Sequence, residues 1–168
     1  VGVADHQEKA AKVSTVECAV LTITDSRTEA EDESGRLIQE RLKEAGHTVL
    51  SHRLLRNDFT AIQAEVMRLL EVGLHCIICT GGTGLGRRDV TIEAITPLLD
   101  KVVDGFGELF RHLSHQEVGT AALMSRALAG TSRATVIIAL PGSREAVRLA
   151  LERLILPELK HLVWVARG

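Results

Sequence analysis

The hydrophobic positions of this chain fall into short unbroken runs separated by amphipathic stretches. Residues 16–24 (VECAVLTIT), 75–80 (HCIICT) and 135–140 (TVIIAL) are apolar and β-branched, the pattern of strands buried on both faces. Residues 47–55 (HTVLSHRLL) alternate instead and predict a strand at a more exposed place in the sheet. Residues 34–45 predict a helix with Leu37, Ile38, Leu42 and Ala45 on one face and Gly46 as its stop. Asn57-Asp58 cap a second, in which Ile62, Val66, Leu69 and Leu70 repeat at helical spacing before Gly73. Further helices are predicted near 91–99, over 106–118 with Phe106, Leu109, Phe110 and Leu113 buried, and over 143–156 with Ser143 as N-cap. The last carries Val147, Leu151 and Leu154 flanked by Ala146, Leu149 and Ala150. That arc is wider than one sheet face requires and predicts a subunit interface. The β-α alternation predicts a three-layer α/β/α sandwich with a mostly parallel central sheet. The loops after the first, central and last strands then share one edge. Residues 1–14 are read as a loosely ordered tail, which leaves 15–168 as a single domain.

Composition narrows the partners. Hydrophobic residues make up 45% of the chain, yet it has only three Phe, one Trp and no Tyr. The core must be aliphatic, and an aromatic stacking platform for single-stranded nucleic acid is excluded. With interspersed charges and a formal net charge of −2, neither nucleic acid nor a membrane surface is an expected partner, so any affinity for anions has to be local. No stretch reads as a signal peptide or a transmembrane span, and a cytoplasmic location is expected. Cys18, Cys76 and Cys79 suit a reducing compartment. Cys76 and Cys79, three apart in a strand, point to opposite faces and can neither pair nor share a metal.

Candidate chemistry concentrates in residues 74–91, LHCIICTGGTGLGRRDVT. Glycine lacks Cβ, so Gly81, Gly82 and Gly84 can take positive φ and bring backbone N–H groups close to an anion, with the Thr83 hydroxyl as a further donor. Arg87 and Arg88 add positive charge. Asp89 stands out, because a carboxylate beside a phosphate is repelled unless a divalent cation lies between them or the aspartate caps the next helix; both readings are open. The run fits neither a P-loop nor GxGxxG. The other two loops on the shared edge supply Asp25 and Ser26, and Pro141-Gly142-Ser143, where a helix N-terminus offers a second anion site. Glu108, His112 and His115 share the outer face of their helix and could chelate a metal, although solvated side chains explain them more simply.

These residues resemble a known family. TGGTGLGRRDVTIEA at 80–94, LPGS at 140–143 and LTITDSR at 21–27 are similar to the molybdopterin-binding proteins of molybdenum cofactor biosynthesis, the MoaB/MogA family. EDESG at 31–35, the stretch 102–130 and LPELK at 156–160 resemble its MoaB branch. The resemblance implies a molybdopterin-binding fold and an adenylyltransferase that joins molybdopterin to AMP from Mg-ATP and releases pyrophosphate. It puts catalytic and metal-holding roles on Asp58 and Asp89, and binding roles on the glycine loop with Arg88 and on the 141–143 turn. It also implies a homotrimer or hexamer and other molybdenum cofactor biosynthesis proteins as partners. Ile92 stands where the family pattern has proline, which alters how the helix after Asp89 starts. A non-catalytic molybdopterin carrier or scaffold, and a nucleotide pyrophosphatase, are the alternatives.

Overall fold

A computed structural model describes residues 2–168. In chain order the elements are α1 (Val3–Ala10), β1 (Glu17–Ile23), α2 (Glu33–Glu44), β2 (Thr48–Leu55), α3 (Phe59–Val72), β3 (Cys76–Thr80), α4 (Thr91–Ile95), β4 (Lys101–Val102), α5 (Asp104–Val118), β5 (Leu128–Ser132), β6 (Thr135–Leu140), α6 (Arg144–Ala150) and α7 (Leu156–Arg167). Six strands form one sheet in the order β2-β1-β3-β6-β5-β4. The first four of these are parallel to one another, whereas β5 runs antiparallel to both of its neighbours. The fold is therefore α/β with a mostly parallel sheet, as the pattern predicts.

Side-chain alternation along the central strands builds two cores. Cys18 and Val20 of β1, Cys76 and Ile78 of β3, and Val136 and Ile138 of β6 face α2, α5 and the C-terminal helices. Leu21, Ile77, Cys79 and Ile137 point the other way, onto Ile62, Val66 and Leu69 of α3 and onto Ile95 of α4. Cys76 and Cys79 thus lie in different cores. Burial pushes the Cys79 thiol up to about 12, and a hydrogen bond with Cys18, reinforced by burial, holds Cys76 well above the usual thiol value. Both behave as small buried hydrophobes. As the alternating pattern indicates, β2 is an edge strand, and its pairing with β1 slips between Cys18 and Ala19.

Four expectations are corrected. Residues 3–10, read as part of a loose tail, form helix α1; Ala10 is buried and the His6 ring lies 5.2 Å from that of Trp164 on α7. The helix beginning after Ser143 does not end near Leu156. It passes through a wide turn at Leu151–Ile155 and continues to Arg167, with Pro157 tolerated in the first turn of α7. Its broad apolar arc is not a free surface, because Val147, Leu149, Ala150 and Leu151 are buried within the subunit, and the half-buried Ala146 and Leu154 pack against the same core, which is shared with α2 and α5. On α5, Phe106 and Phe110 are buried as predicted, but Leu109 is 54% exposed, and Gly107 and Ser114 complete the inner face.

The β5–β6 hairpin was not apparent in the sequence. Ser132 pairs with Thr135 across a two-residue turn in which Arg133 (φ 47) and Ala134 (φ 63) both take left-handed conformations. Such a turn matches the twist of the strands but normally carries Asn or Gly. Ala134→Gly is expected to stabilise the protein by about 1 kcal/mol through relief of that strain. Calorimetry should show a melting temperature a few degrees higher; a fall would mean that packing of the Ala134 methyl outweighs the strain.

Candidate functional site

A cleft of about 520 Å³ opens at the carboxyl edge of the sheet, where the loops after β1, β3 and β6 converge. Strand order reverses direction between β1 and β3, and ligands of open α/β sheets bind at such a crevice. Thr24, Asp25, Ser26 and Arg27 line it from the first loop, Gly81 to Gly84 and Asp89 from the second, and Pro141 and Gly142 from the third. Ser34 of α2, Asn57, and Ala121, Met124, Ser125 and Arg126 from the segment between α5 and β5 complete the wall.

The glycine loop is shaped by close backbone approach. Gly81 (φ 92) and Gly82 (φ 65) are left-handed. A Cβ on Gly82 would stand 2.2 Å from Asn57 Oδ1 and 2.4 Å from Thr91 Oγ1. Thr91, buried at the start of α4, holds this part from beneath: its hydroxyl donates to the Gly81 carbonyl at 2.8 Å and its N–H to that of Gly82 at 2.9 Å. Gly84 is not left-handed, but its Cβ would lie 2.6 Å from Asp89 Oδ2, so a side chain there would displace that carboxylate. Asp89 turns back on its own loop, accepting the Gly86 N–H at 3.0 Å. It does not cap α4, whose N-cap position, Val90, has no side-chain bond. Of the two open readings for Asp89 the cap is therefore removed. On the far side, Arg126 Nε donates to the Thr83 carbonyl at 2.8 Å.

In the first loop, Asp25 gathers three donors. Arg88 Nε donates to its Oδ2 at 2.9 Å, the Asn57 N–H to its Oδ1 at 3.1 Å, and the Asn57 side-chain amide more weakly. The Arg88 hydrogen bond, then that of the Asn57 N–H, holds the Asp25 carboxyl below its ordinary range. In the third loop, the Gly142 carbonyl accepts from Ser34 Oγ at 2.8 Å and Arg27 Nη1 at 3.3 Å, and the Pro141 carbonyl from Thr80 Oγ1 at 2.9 Å. Beneath the cleft lies a buried cluster: Asp32 Oδ2 accepts from Thr22 Oγ1 at 2.6 Å and meets His52 Nε2 at 2.8 Å, while its Oδ1 accepts the Gly35 N–H and so caps α2.

Of the predicted site residues, Asp25, Ser26, Gly81, Gly82, Thr83, Gly84, Asp89, Pro141 and Gly142 meet in the cleft. Three others do not line it. Arg88 acts on Asp25 from outside the wall, and Ser143 caps α6 by accepting the Ala146 N–H. Asp58 caps α3, accepting the Ala61 N–H at 2.7 Å, and the wall carries its neighbour Asn57 instead. No group of three or more His, Cys, Asp or Glu able to hold a metal occurs among the described residues, and His112 and His115 are exposed on α5. Sequence reasoning missed Asn57, Ser34 and Arg126, each brought in from a distant part of the chain. For Arg126 the available signal was its position in the family-like stretch 102–130.

The profile of the probable molybdopterin binding domain family matches residues 19–161, which include every residue lining the cleft and all of the sheet but the first two residues of β1. The chain belongs to the MoaB/MogA family of molybdenum cofactor biosynthesis proteins. It is 46% identical over 168 residues to molybdenum cofactor biosynthesis protein B of Bacillus cereus, covering 96% of each chain. A crystal structure of a molybdenum cofactor biosynthesis protein B superposes with a TM-score of 0.87 at 47% identity, over 90% of this chain and 96% of that one. The tungsten cofactor synthesizing protein MoaB of Pyrococcus furiosus superposes at 0.84 with 36% identity, over 92% and 98%. Membership in this family puts the chain in molybdenum cofactor biosynthesis. Among the described residues no helix is long and apolar enough to cross a membrane.

Two outcomes test this geometry. Gly82→Val forces a side chain onto Asn57 and Thr91 at a left-handed φ, and is expected to displace the loop and weaken anion binding by about tenfold or more. Titration calorimetry with inorganic pyrophosphate measures it, and unchanged affinity would move the anion site elsewhere. For Asp25, a carboxyl lowered in the folded state keeps its pairing with Arg88 from neutral pH down through the ordinary aspartate range, and loses it only as pH falls through the depressed value. A carbon-13 titration of the Asp25 carboxyl should give a midpoint below that of an unpaired aspartate.

Proposed function

We propose that the cleft binds molybdopterin and adenylylates it with Mg-ATP, releasing pyrophosphate. The observation that carries this reading is the union in one cleft of a glycine loop with close-approaching backbone and a carboxylate, Asp89, that is not consumed as a helix cap. In the reaction, a terminal phosphate oxygen of molybdopterin attacks the α-phosphorus of ATP. A new P–O bond forms, the bond between the α-phosphorus and its bridging oxygen breaks, and pyrophosphate leaves with the electron pair.

Both reactants are anionic, and their repulsion is the barrier this chain must lower. The N–H groups of Gly82, Thr83 and Gly84 and the Thr83 hydroxyl are donors for phosphate oxygens, those of Gly81 and Gly86 being held by the Leu140 carbonyl and Asp89, and Arg27 donates to the Gly142 carbonyl at another part of the wall. Mg²⁺ would come with the nucleotide. Such an ion keeps phosphate oxygens and waters as most of its ligands and asks one or two carboxylates of the protein, which suits a cleft with Asp89 and no metal cage among the described residues. Asp89 would hold it, and the ion would supply charge neutralisation at the transferring phosphate.

A molybdopterin carrier is the second reading, and one observation favours it. Asp58, given a metal-holding role by resemblance, lies outside the cleft wall with its carboxylate spent on α3, and the other acidic residue of the wall, Asp25, is paired with Arg88. A carrier would use the same loop without a second carboxylate.

Asp89→Asn separates the readings. The amide oxygen can still accept the Gly86 N–H, so the fold and molybdopterin binding should persist, while adenylyl transfer should fall by about 100-fold or more. Product is followed by chromatography after incubation with molybdopterin and Mg-ATP, with Mg-ATP alone and with ADP-ribose. Undiminished transfer in the variant refutes a catalytic Asp89; binding with no transfer in the unaltered protein establishes the carrier; hydrolysis of ADP-ribose establishes a pyrophosphatase.

A further inference from the structure

An arginine in a cleft suited to anions is ordinarily read as an anion clamp. Arg126 is differently engaged. Its Nη1 and Nη2 donate to the two carboxylate oxygens of Glu93 at 2.6 and 3.1 Å, and its Nε donates to the Thr83 carbonyl at 2.8 Å. Three of its five N–H donors, one on each nitrogen, are thus engaged by protein, which fixes the plane of the guanidinium. Glu93 sits in the first turn of α4, the helix whose Thr91 already holds Gly81 and Gly82. The first half of the loop is tied to α4 twice, directly at Gly81–Gly82 and through the Arg126–Glu93 pair at Thr83. Arg126 also ends the segment whose Met124 and Ser125 form the facing wall, so one guanidinium connects three pieces of the cleft.

We propose that Arg126 is a positioning residue that braces the glycine loop against α4 and the facing wall, acting on a bound anion through the loop backbone and not by contact. The proposal rests on reading the cleft as an anion site. Brace and clamp make opposite predictions for Glu93. If Arg126 were a clamp, removing the Glu93 charge would free the guanidinium and strengthen anion binding. If Arg126 is a brace, the same change releases the loop and weakens it. Bidentate geometry also makes lysine a poor substitute, since it keeps the charge without the fork.

The test compares Glu93→Gln, Arg126→Lys and the double variant, all in the full chain. Binding of inorganic pyrophosphate is measured by calorimetry, and amide hydrogen exchange is measured at residues 82–86 and, as a distant control, on α7. The expected result is that each single variant weakens pyrophosphate binding by about tenfold and speeds loop exchange by a similar factor. The control should be unchanged, and the double variant no weaker than the weaker single. Tighter binding in Glu93→Gln, additive losses, or an equal rise in exchange on α7 would each overturn the brace. If the unaltered protein does not bind pyrophosphate, the anion reading of the cleft fails, and the loop-exchange comparison still decides whether Arg126 braces the loop.

Discussion

Gly81 is the point on which the site depends. A Cβ there would lie 2.2 Å from the Ile23 carbonyl oxygen, and one on Gly142 would lie 3.2 Å from the Gly81 Cα. The backbone of the central loop is therefore pressed between the end of β1 on one side and the turn after β6 on the other. Its N–H donates to the Leu140 carbonyl, continuing the β3–β6 pairing one residue past the strand. Three loops distant in sequence meet at this contact with no side chain between them. At this point the cleft is walled by main chain, and the Gly81 N–H, taken by the Leu140 carbonyl, is not among the donors it can offer.

In a chain of net charge −2, that arrangement bears on where positive potential can gather. The guanidinium groups near the cleft are largely compensated: Arg88 is paired with Asp25 and Arg126 with Glu93. Arg27 instead donates to a neutral carbonyl, that of Gly142, and retains its charge toward the cleft mouth. Compensated pairs organise the loops without creating a strong field. What positive potential the cleft carries then comes from oriented peptide dipoles supplemented by Arg27, a short-range effect.

The parallel strands and the glycine loop were legible because their signals are local: unbroken apolar runs, then glycines that end them. What failed was non-local. Residues 128–132 (LAGTS) carry too little apolar bulk to read as a strand, and Gly130 is required by the adjoining strand, since its Cβ would lie 2.5 Å from the Lys101 carbonyl oxygen. The arc on residues 143–156 was correctly seen as too wide for a sheet alone, but the extra surface is covered by α2 and α5 of the same subunit, whose docking no local pattern encodes. Leu109 was assigned inward by period, whereas small Gly107 and Ser114 occupy the close contact. In the site, Asp25 and the loop glycines were found by type and spacing. The pairs Arg88–Asp25, Arg126–Glu93 and His52–Asp32 join residues 63, 33 and 20 positions apart, a separation at which composition carries no information.

Asp58 shows how a local role and a site role can compete for one carboxylate. Its Oδ1 caps α3, a bond worth about 1 kcal/mol at such a position. The cap therefore leaves Asp58 outside the set of preorganised cleft carboxylates. Asp89 is under no such competition from a helix, because Val90 starts α4 without it and the single Gly86 N–H it accepts lies within the loop itself. The difference between catalyst and carrier consequently turns on Asp89, the carboxylate already in the cleft, more than on the one that must be drawn in.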